Sequence, residues 1–405
     1  MPSLIAGRRQ TLTRGLALAA VASTPGRRAA AQPGAPIRIG VLTDQSGPYA
    51  DSGGRGSVLA AHLAVAEFGG SVLGRRIEVI DGDTLNKPDV AAGIARRWFD
   101  DGVDAIVDLP VTSVAAAVQQ IAHEKNRSVM ITSGAATEFT TKSCSSTSTH
   151  WADDTHALAV GAALPLVRAG AKTWFFISVD YAFGVALQRD AAAQIEQNGG
   201  QVIGSTRFPI GNADFSSMLL QAEASGAKVI GLAAVGSDLV NLVKQAGEFG
   251  LTRPGGPALA GFLVYITEVH ALGLAAAQGF TFPSGFYWNQ SAVARAWSRQ
   301  FFTARKAMPT RVHAAVYSAT LHWLRAIRQA GTTKADATGR AMRALPVDYL
   351  GRPASVREDG RVIYDLPIYR VKRPSESAEL WDYYEHIDTI PAREAFLPLL
   401  AQCHS

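Results

Sequence analysis

The sequence is short of cysteine, of charge and of long apolar runs, and each shortage closes off a class of protein. Two cysteines in 405 residues, with no C-x-x-C and no H-E-x-x-H spacing, leave no zinc site to read. Charged residues make up 18% of the chain against 47% apolar. That is a globular composition with ample core material and no case for disorder. No run of about 18 apolar residues occurs, so no segment reads as a membrane-spanning helix. The signatures of common enzymes are missing as well: no G-x-S-x-G elbow, no P-loop, no G-x-G-x-x-G fingerprint. Gly53-Gly54-Arg55-Gly56 follows a strand and precedes a helix, but its glycine spacing does not fit a dinucleotide. A hydrolase would need a Ser or Cys with a His and an acid, and no local pattern places them. His150, His156, Asp153 and Asp154 have a metal-like composition, yet a six-residue spacing is wrong for one helix face. The expectation is a protein that is not an enzyme and holds neither metal nor cofactor.

The net charge of +5 disappears once the chain is divided. Residues 1–31 hold five arginines (Arg8, Arg9, Arg14, Arg27, Arg28) and no acid; the remainder holds 34 basic and 34 acidic residues. A neutral body has no field to gather nucleic acid or anionic lipid. The first 31 residues have the layout of an export signal instead. A basic start leads to a weakly apolar run, Gly15–Ala22, and to Ala29-Ala30-Ala31 before Gln32. Arg8-Arg9 resembles a twin-arginine signal, with an ordinary secretory signal as the alternative. Cleavage near Ala31-Gln32 would deliver the mature chain to the periplasm. No Cys lies near that cut, so no lipid anchor is expected. In an oxidising compartment Cys144 and Cys403 suggest one disulfide, closing a loop of about 260 residues; two free thiols are the alternative.

The body alternates between short apolar runs and helical patterns. Strands are expected at Ile37–Leu42, Ile77–Ile80, Ala105–Val107 and Val129–Thr132, with helices at Ser57–Phe68, Val90–Phe99 and Val114–His123 between them. After residue 155 the alternation repeats. Helices Ala157–Arg168, Ala182–Gln197, Phe215–Ala224 and Asp238–Phe249 interleave with strands Trp174–Ser178, Gln201–Gly204 and Val229–Ala233. Two such series mean an α/β protein with two doubly wound parallel-sheet lobes. Later helices are expected at Ala292–Arg305 and His313–Ala330, and a hairpin turns at Asp359-Gly360.

In a doubly wound sheet, ligands sit beyond the carboxyl ends of the strands. In the first series those ends read Thr43–Tyr49, Asp81–Asp83, Asp108–Ser113 and Ser133–Thr137; in the second, Val179–Gly184, Ala234–Ser237 and Gly261–Tyr265. The first set is small and hydroxylic, rich in N–H groups next to helix N-termini, and suits a carboxylate. The second is aromatic and apolar. One polar wall and one aromatic wall suit a small amphipathic ligand in a cleft. Asp44, Asp81 and Asp83 read mainly as holders of their own loops.

Ser46-Gly47-Pro48, Ser133-Gly134-Ala135-Ala136-Thr137, Asp180-Tyr181-Ala182-Phe183-Gly184 and Asp214-Phe215-Ser216, taken in order, resemble periplasmic solute-binding proteins of the branched-chain amino acid type. The C-terminal Trp381-Asp382-Tyr383-Tyr384 and Ile390-Pro391 fit as well. The resemblance implies two lobes joined by a three-segment hinge that closes on one ligand. It divides the chain into lobe I at 35–154 and 285–339, and lobe II at 155–284 and 340–372. A tail at 373–405 returns to lobe I. The implied partners are a small-molecule carboxylate and the permease of an ABC importer in the inner membrane, with the binding protein a monomer. Presentation of the closed form to a signalling receptor is the other reading, and a periplasmic hydrolase the least favoured.

The family's ligand residues carry over one by one. A serine that meets the ligand carboxylate falls here at Val111, where only a backbone N–H is left. The next loop supplies an N–H and a hydroxyl, matching Ala135 and Thr137, with Ser133 as a further hydroxyl. The closing aromatic of lobe II matches Phe183, with Tyr181 beside it. The acid that holds an ammonium in amino-acid binders is replaced by Phe262; Asp153 or Asp154 is the available substitute. The departure favours an aromatic or apolar acid lacking an α-amino group, with an amino acid next. Tyr49, Trp151, Tyr181, Phe183 and Phe262 would form its slot, and Asp154 and Gly236 complete the expected set. For Phe183 and Phe262 simple core packing is the alternative, and for Thr137 a cap.

Overall fold

The computed structural model describes residues 34–403 apart from residue 254; the expected export signal lies outside the described residues. Six strands build the first sheet: β1 (Ile37–Thr43), β2 (Ser71–Val72), β3 (Arg75–Asp83), β4 (Ala105–Asp108), β5 (Ser128–Ile131) and β6 (Ser148–His150). Their order is β2-β3-β1-β4-β5-β6, parallel except for the short β2 at the edge. The apolar runs of β1, β4 and β5 are buried almost throughout, as expected of strands covered on both faces. The covering helices are α1 (Gly54–Phe68), α2 (Pro88–Asp100) and α3 (Thr112–Glu124). Helix α2 starts with Pro88 and Asp89 and carries Arg97 in its last turn, which suits the helix dipole at both ends.

The second sheet holds β7 (Thr173–Val179), β8 (Gln201–Phe208), β9 (Val229–Ala233) and β10 (Ala258–Gly261), parallel, in the order β10-β9-β7-β8. Around it lie α4 (Thr155–Arg168), α5 (Ala182–Gln197), α6 (Ser216–Ala224), α7 (Ser237–Glu248), α8 (Ile266–Leu272) and the short α9 (Leu274–Ala277). Strand β8 runs four residues past its expected end. It is an edge strand whose burial alternates, so polar side chains fit its outer face. Gly204, which looks like a stop, lies under the Phe175 ring, where a Cβ would come within 2.8 Å. In both sheets the strand order reverses next to the first strand, between β1 and β4 and between β7 and β9, and a crevice opens at such a switch point.

The rest of the chain ties the lobes together. After β11 (Thr281–Pro283) come α10 (Ala292–Arg305), α11 (Arg311–Ala330) and α12 (Ala335–Ala344); α11 packs on α1 and α12 on α11. Helix α12 is continuous through residue 344, and Arg343 bonds the Ser146 carbonyl. Strands β12 (Val347–Asp348), β13 (Pro353–Val356) and β14 (Val362–Ile363) follow, and β13 and β14 pair antiparallel around Asp359-Gly360, the expected hairpin. Strands β15 (Leu366–Val371) and β16 (Tyr384–Ile390) pair with each other, and β15 also pairs with β11. A last short helix, α13 (Ala392–Ala395), precedes the Cys144–Cys403 disulfide, whose Cα atoms are 5.8 Å apart. The pair of cysteines is thus joined, and the tail reaches the first lobe.

Three segments cross between the lobes, and one carboxylate meets all of them. Asp153 lies on the first crossing. Its Oδ2 accepts from the Gly285 N–H of the second at 3.0 Å, and its Oδ1 from the Tyr364 hydroxyl of the third at 2.5 Å. Arg311 stands 3.3 Å from Oδ2. Beside this knot Asp154 caps α4 by accepting from Ala157 N–H at 2.9 Å and faces Arg361 at 3.7 Å. Phe396 of the tail lies 4.2 Å from the Arg361 guanidinium. All four charged groups are buried.

Candidate ligand-binding site

The loop after β1 is shaped by one aspartate. Asp44 Oδ1 accepts from the N–H groups of Ser46 and Gly47, and Oδ2 from Tyr49 N–H and Asn86 Nδ2, at 2.6–3.2 Å. Asp83 accepts from Ser46 Oγ and Leu85 N–H, and Asp81 pairs with Arg55. All three acids hold loops, and the outcome is that Tyr49 is turned inward.

Opposite, Gly236 has φ +70° and a Cβ there would stand 2.4 Å from the Pro48 carbonyl. Only glycine lets the two lobes close to this distance. The Ser237 N–H donates to that same carbonyl at 3.3 Å. Glu268 supports the loop from behind by accepting from the Gly236 and Tyr265 N–H groups; burial pushes its carboxyl up to about 8. At the other rim Arg189 of α5 bonds Glu138 at 2.5 Å and Thr137 Oγ1 at 3.1 Å. The lobes therefore meet on both sides of a closed cleft.

Between these contacts lies a cavity with about 370 Å³ of atom-free space, part of it continuous with solvent. Twelve residues line it, and none is charged. Tyr49, Ser133, Ala135, Tyr181 and Phe183 are the expected lining residues found there, joined by Ser52, Gly53, Pro110, Val235, Leu263, Tyr265 and Val312. The Tyr49 and Tyr181 hydroxyls meet across the cleft at 3.4 Å. Burial raises the pKa of both, and that of Tyr265 to about 12, so all three remain protonated donors at neutral pH. Tyr265 oxygen accepts from Arg311 Nη2 at 3.3 Å, which leaves its own proton free for the cavity. Among the described residues no backbone acceptor takes the N–H of Ala135 at the cavity wall. The cavity thus offers donors on one side and aromatic faces on the other.

Six expected residues lie elsewhere. Val111 is the residue before α3 and is buried. Thr137 sits in the rim contact, bonded to Asp190 and Arg189. Trp151 packs edge-on against His322 and Tyr349 and donates to Thr149. Asp154 is held by its capping bond and Arg361. Gly236 forms the opposite rim. Phe262 stacks on Phe176 and packs against Trp174 inside the second lobe. Past the end of β10 the alternation of side chains turns Leu263 to the cleft and Phe262 away from it. His150 takes no part in a metal-like group: its Nε2 bonds the Gly134 carbonyl and Nδ1 faces Arg361.

A model of the family described as periplasmic binding protein matches residues 36–378. The chain belongs to the periplasmic binding protein family. A crystal structure of a periplasmic binding protein from Burkholderia mallei is 41% identical, with a TM-score of 0.87 over 89% of this chain and 96% of that one. A branched chain amino acid ABC transporter periplasmic ligand-binding protein from Burkholderia xenovorans LB400 is 35% identical, TM-score 0.78, over 89% and 97%. Leu/Ile/Val-binding protein homolog 6 of Brucella melitensis is 26% identical over 244 residues, 58% of this chain and 61% of that protein. The chain thus matches less than two thirds of that curated relative's length. The chain has the type I periplasmic binding protein fold of these neighbours: two α/β lobes, three connecting segments and a cleft at the switch points.

Proposed function

We propose that this periplasmic binding protein is the extracytoplasmic receptor of an ABC importer and closes on a small carboxylate, with an aromatic or apolar acid favoured. The observation that carries the ligand class is the uncharged lining of the cavity. An α-ammonium group buried there would meet no carboxylate among the lining residues, and an unpaired buried charge is costly. The two acids that were candidates for that task are engaged at the hinge, Asp153 by Arg311, Gly285 and Tyr364 and Asp154 by Ala157 and Arg361. A carboxylate, in contrast, finds the N–H of Ala135 and the Tyr265 proton, the latter backed by Arg311. Phe183 and Tyr181 supply faces for a ring. Two proteins of Rhodopseudomonas palustris with this fold, each 18% identical, hold 3,4-dihydroxybenzoic acid and benzoate in their solved structures; at that identity they speak for the fold alone.

The name of the Burkholderia xenovorans relative favours a second reading, a branched-chain amino acid. The lobes are proposed to separate at residues 151–154, 284–286 and 364–365, the last in place of the expected boundary at 339–340 because Arg343 bonds Ser146 and Arg361 bridges His150 of the first sheet, with the signal cleaved near Ala31-Gln32 and the mature monomer working in the periplasm beside its permease. A thermal-shift and calorimetric screen of residues 32–405 tests the ligand class. Benzoate and its hydroxylated relatives should stabilise the protein by about 2.7 kcal/mol at 100 times their dissociation constants. Stabilisation by leucine and not by benzoate would transfer the assignment to an amino acid.

A further inference from the structure

The first lobe places one carboxylate directly behind the cavity. Asp108 ends β4 with φ +93°, and Leu109 follows at φ +68°. Residues with a Cβ keep such a backbone only where their surroundings hold them to it. The turn leaves Asp108 fully buried. Its Oδ1 is in hydrogen-bond contact with the Ser133 hydroxyl, a contact in which an ionised carboxylate accepts and a protonated carboxyl can donate. Its Oδ2 lies under Gly53, 3.2 Å from where a Cβ would stand. Ser133 and Gly53 both line the cavity. The Thr43 and Ser57 hydroxyls approach the carboxylate, yet Oδ2 has no completed hydrogen bond.

Among the described residues no ion pair reaches this group. Facing it are the hydroxyls of Thr43, Ser57 and Ser133, then Asp44 at the end of β1 and Tyr265 from the second lobe. Across Gly53 stands His313 of α11, which bonds the Gly53 carbonyl through Nε2 and which burial holds neutral, with a pKa of about 4. A buried carboxylate without a cation favours its neutral form, and burial raises Asp108 in that sense.

We propose that Asp108 is a positioning residue that keeps its proton in the closed, occupied cleft and directs it to Ser133 Oγ, so that the Ser133 hydroxyl donates to a ligand carboxylate. The inference rests on the reading of the ligand as an anion. An ionised Asp108 reverses the pair: it draws the Ser133 proton, and Ser133 then turns a lone pair to the ligand, which suits a cation and repels an anion. One proton therefore sets the sign of charge that this wall admits. Because the protonated form binds the anion, affinity is greatest at low pH and is lost as pH rises through the ionisation of Asp108.

The test is calorimetry with benzoate between about pH 5.5 and 8.5, a range over which benzoate stays an anion, on wild type, Asp108→Asn and Ser133→Ala. Asparagine tolerates the left-handed backbone and donates to Ser133 at every pH. Wild-type affinity should fall with rising pH, by at most about tenfold per unit. D108N should bind within about threefold of wild type at the acid end and show no slope, and S133A should lose about tenfold there and also show none. A slope that survives in D108N, or folded D108N that fails to bind at acid pH, overturns the proposal. If the wild-type profile is flat, the infrared difference between wild type and D108N at neutral pH decides. A carboxylic acid C=O band belonging to Asp108 supports the proposal, and its absence overturns it. If D108N does not fold, the S133A profile takes its place, and a slope retained there is fatal. Should benzoate not bind at all, the ligand reading fails, and the same infrared band settles the state of Asp108 independently.

Discussion

The cleft and the hinge are neighbours along the chain and opposites in electrostatics. Residues 150–155 run from one into the other, yet the cavity is lined by twelve uncharged residues while the hinge buries Asp153, Asp154, Arg311 and Arg361 together. Two buried ion pairs are a poor source of net stability. What they supply is a fixed meeting point: Asp153 receives a hydrogen bond from each of the other two crossings. On the proposed function, charge is concentrated where the lobes stay in register and withheld where the ligand would enter and leave. On that reading the cavity would discriminate by donor placement and ring shape, with Arg311 backing it through Tyr265.

Removing the pin is the most severe way to break this contrast. Asp153→Ala leaves Arg311 buried without its carboxylate and frees Gly285 and Tyr364. Breaking a buried pair from one side costs about 3–5 kcal/mol, and the urea midpoint should fall accordingly. A loss below about 1 kcal/mol would mean that water or another group holds the crossings, since a surface pair is worth no more than that.

The two phenylalanines separate the regions next. Phe262 is stacked inside the second lobe and Phe183 faces the cavity. Phe262→Ala should destabilise by about 3–5 kcal/mol and leave benzoate affinity within about threefold. Phe183→Ala should weaken benzoate by tenfold or more, about 1.4 kcal/mol. Reversed effects in paired denaturation and calorimetry experiments would return Phe262 to the binding slot.

Alternation of strands and helices was legible along the chain because parallel strands are apolar on both faces and their helices are amphipathic. Within the site, residues on loops that leave a strand directly were legible too: Tyr49, Ser133, Ala135, Tyr181 and Phe183 reach the cavity. Errors arose where one residue of phase decides the face, as with Phe262 and Leu263. Val312 had no local signal at all, since only the packing of α11 on α1 brings it to the cavity. Ser52 and Gly53 were hidden in a glycine cluster weighed against a nucleotide motif and set aside. Asp153 and Asp154 looked available to a ligand because a sequence does not show that an acid is already satisfied. Strand β11 pairs with β15 across about 90 residues and leaves no short-range pattern.

The rim contact should give the smallest effect and bears on which region controls closure. Arg189 joins the second lobe to Glu138 and Thr137 of the first, but its side chain is 48% exposed and that of Glu138 32%. Exposed pairs of this kind contribute about 0.2–1 kcal/mol and weaken with salt. Arg189→Ala should therefore reduce benzoate affinity by no more than about fivefold, and the difference from wild type should shrink as salt is raised. A pair that acts only after the lobes have met should leave the association rate almost unchanged and speed dissociation. A loss well beyond tenfold, insensitive to salt, would place control of closure at this rim. The cavity would then be a passive space between lobes that other contacts hold shut, and the uncharged lining would no longer explain what the cleft retains.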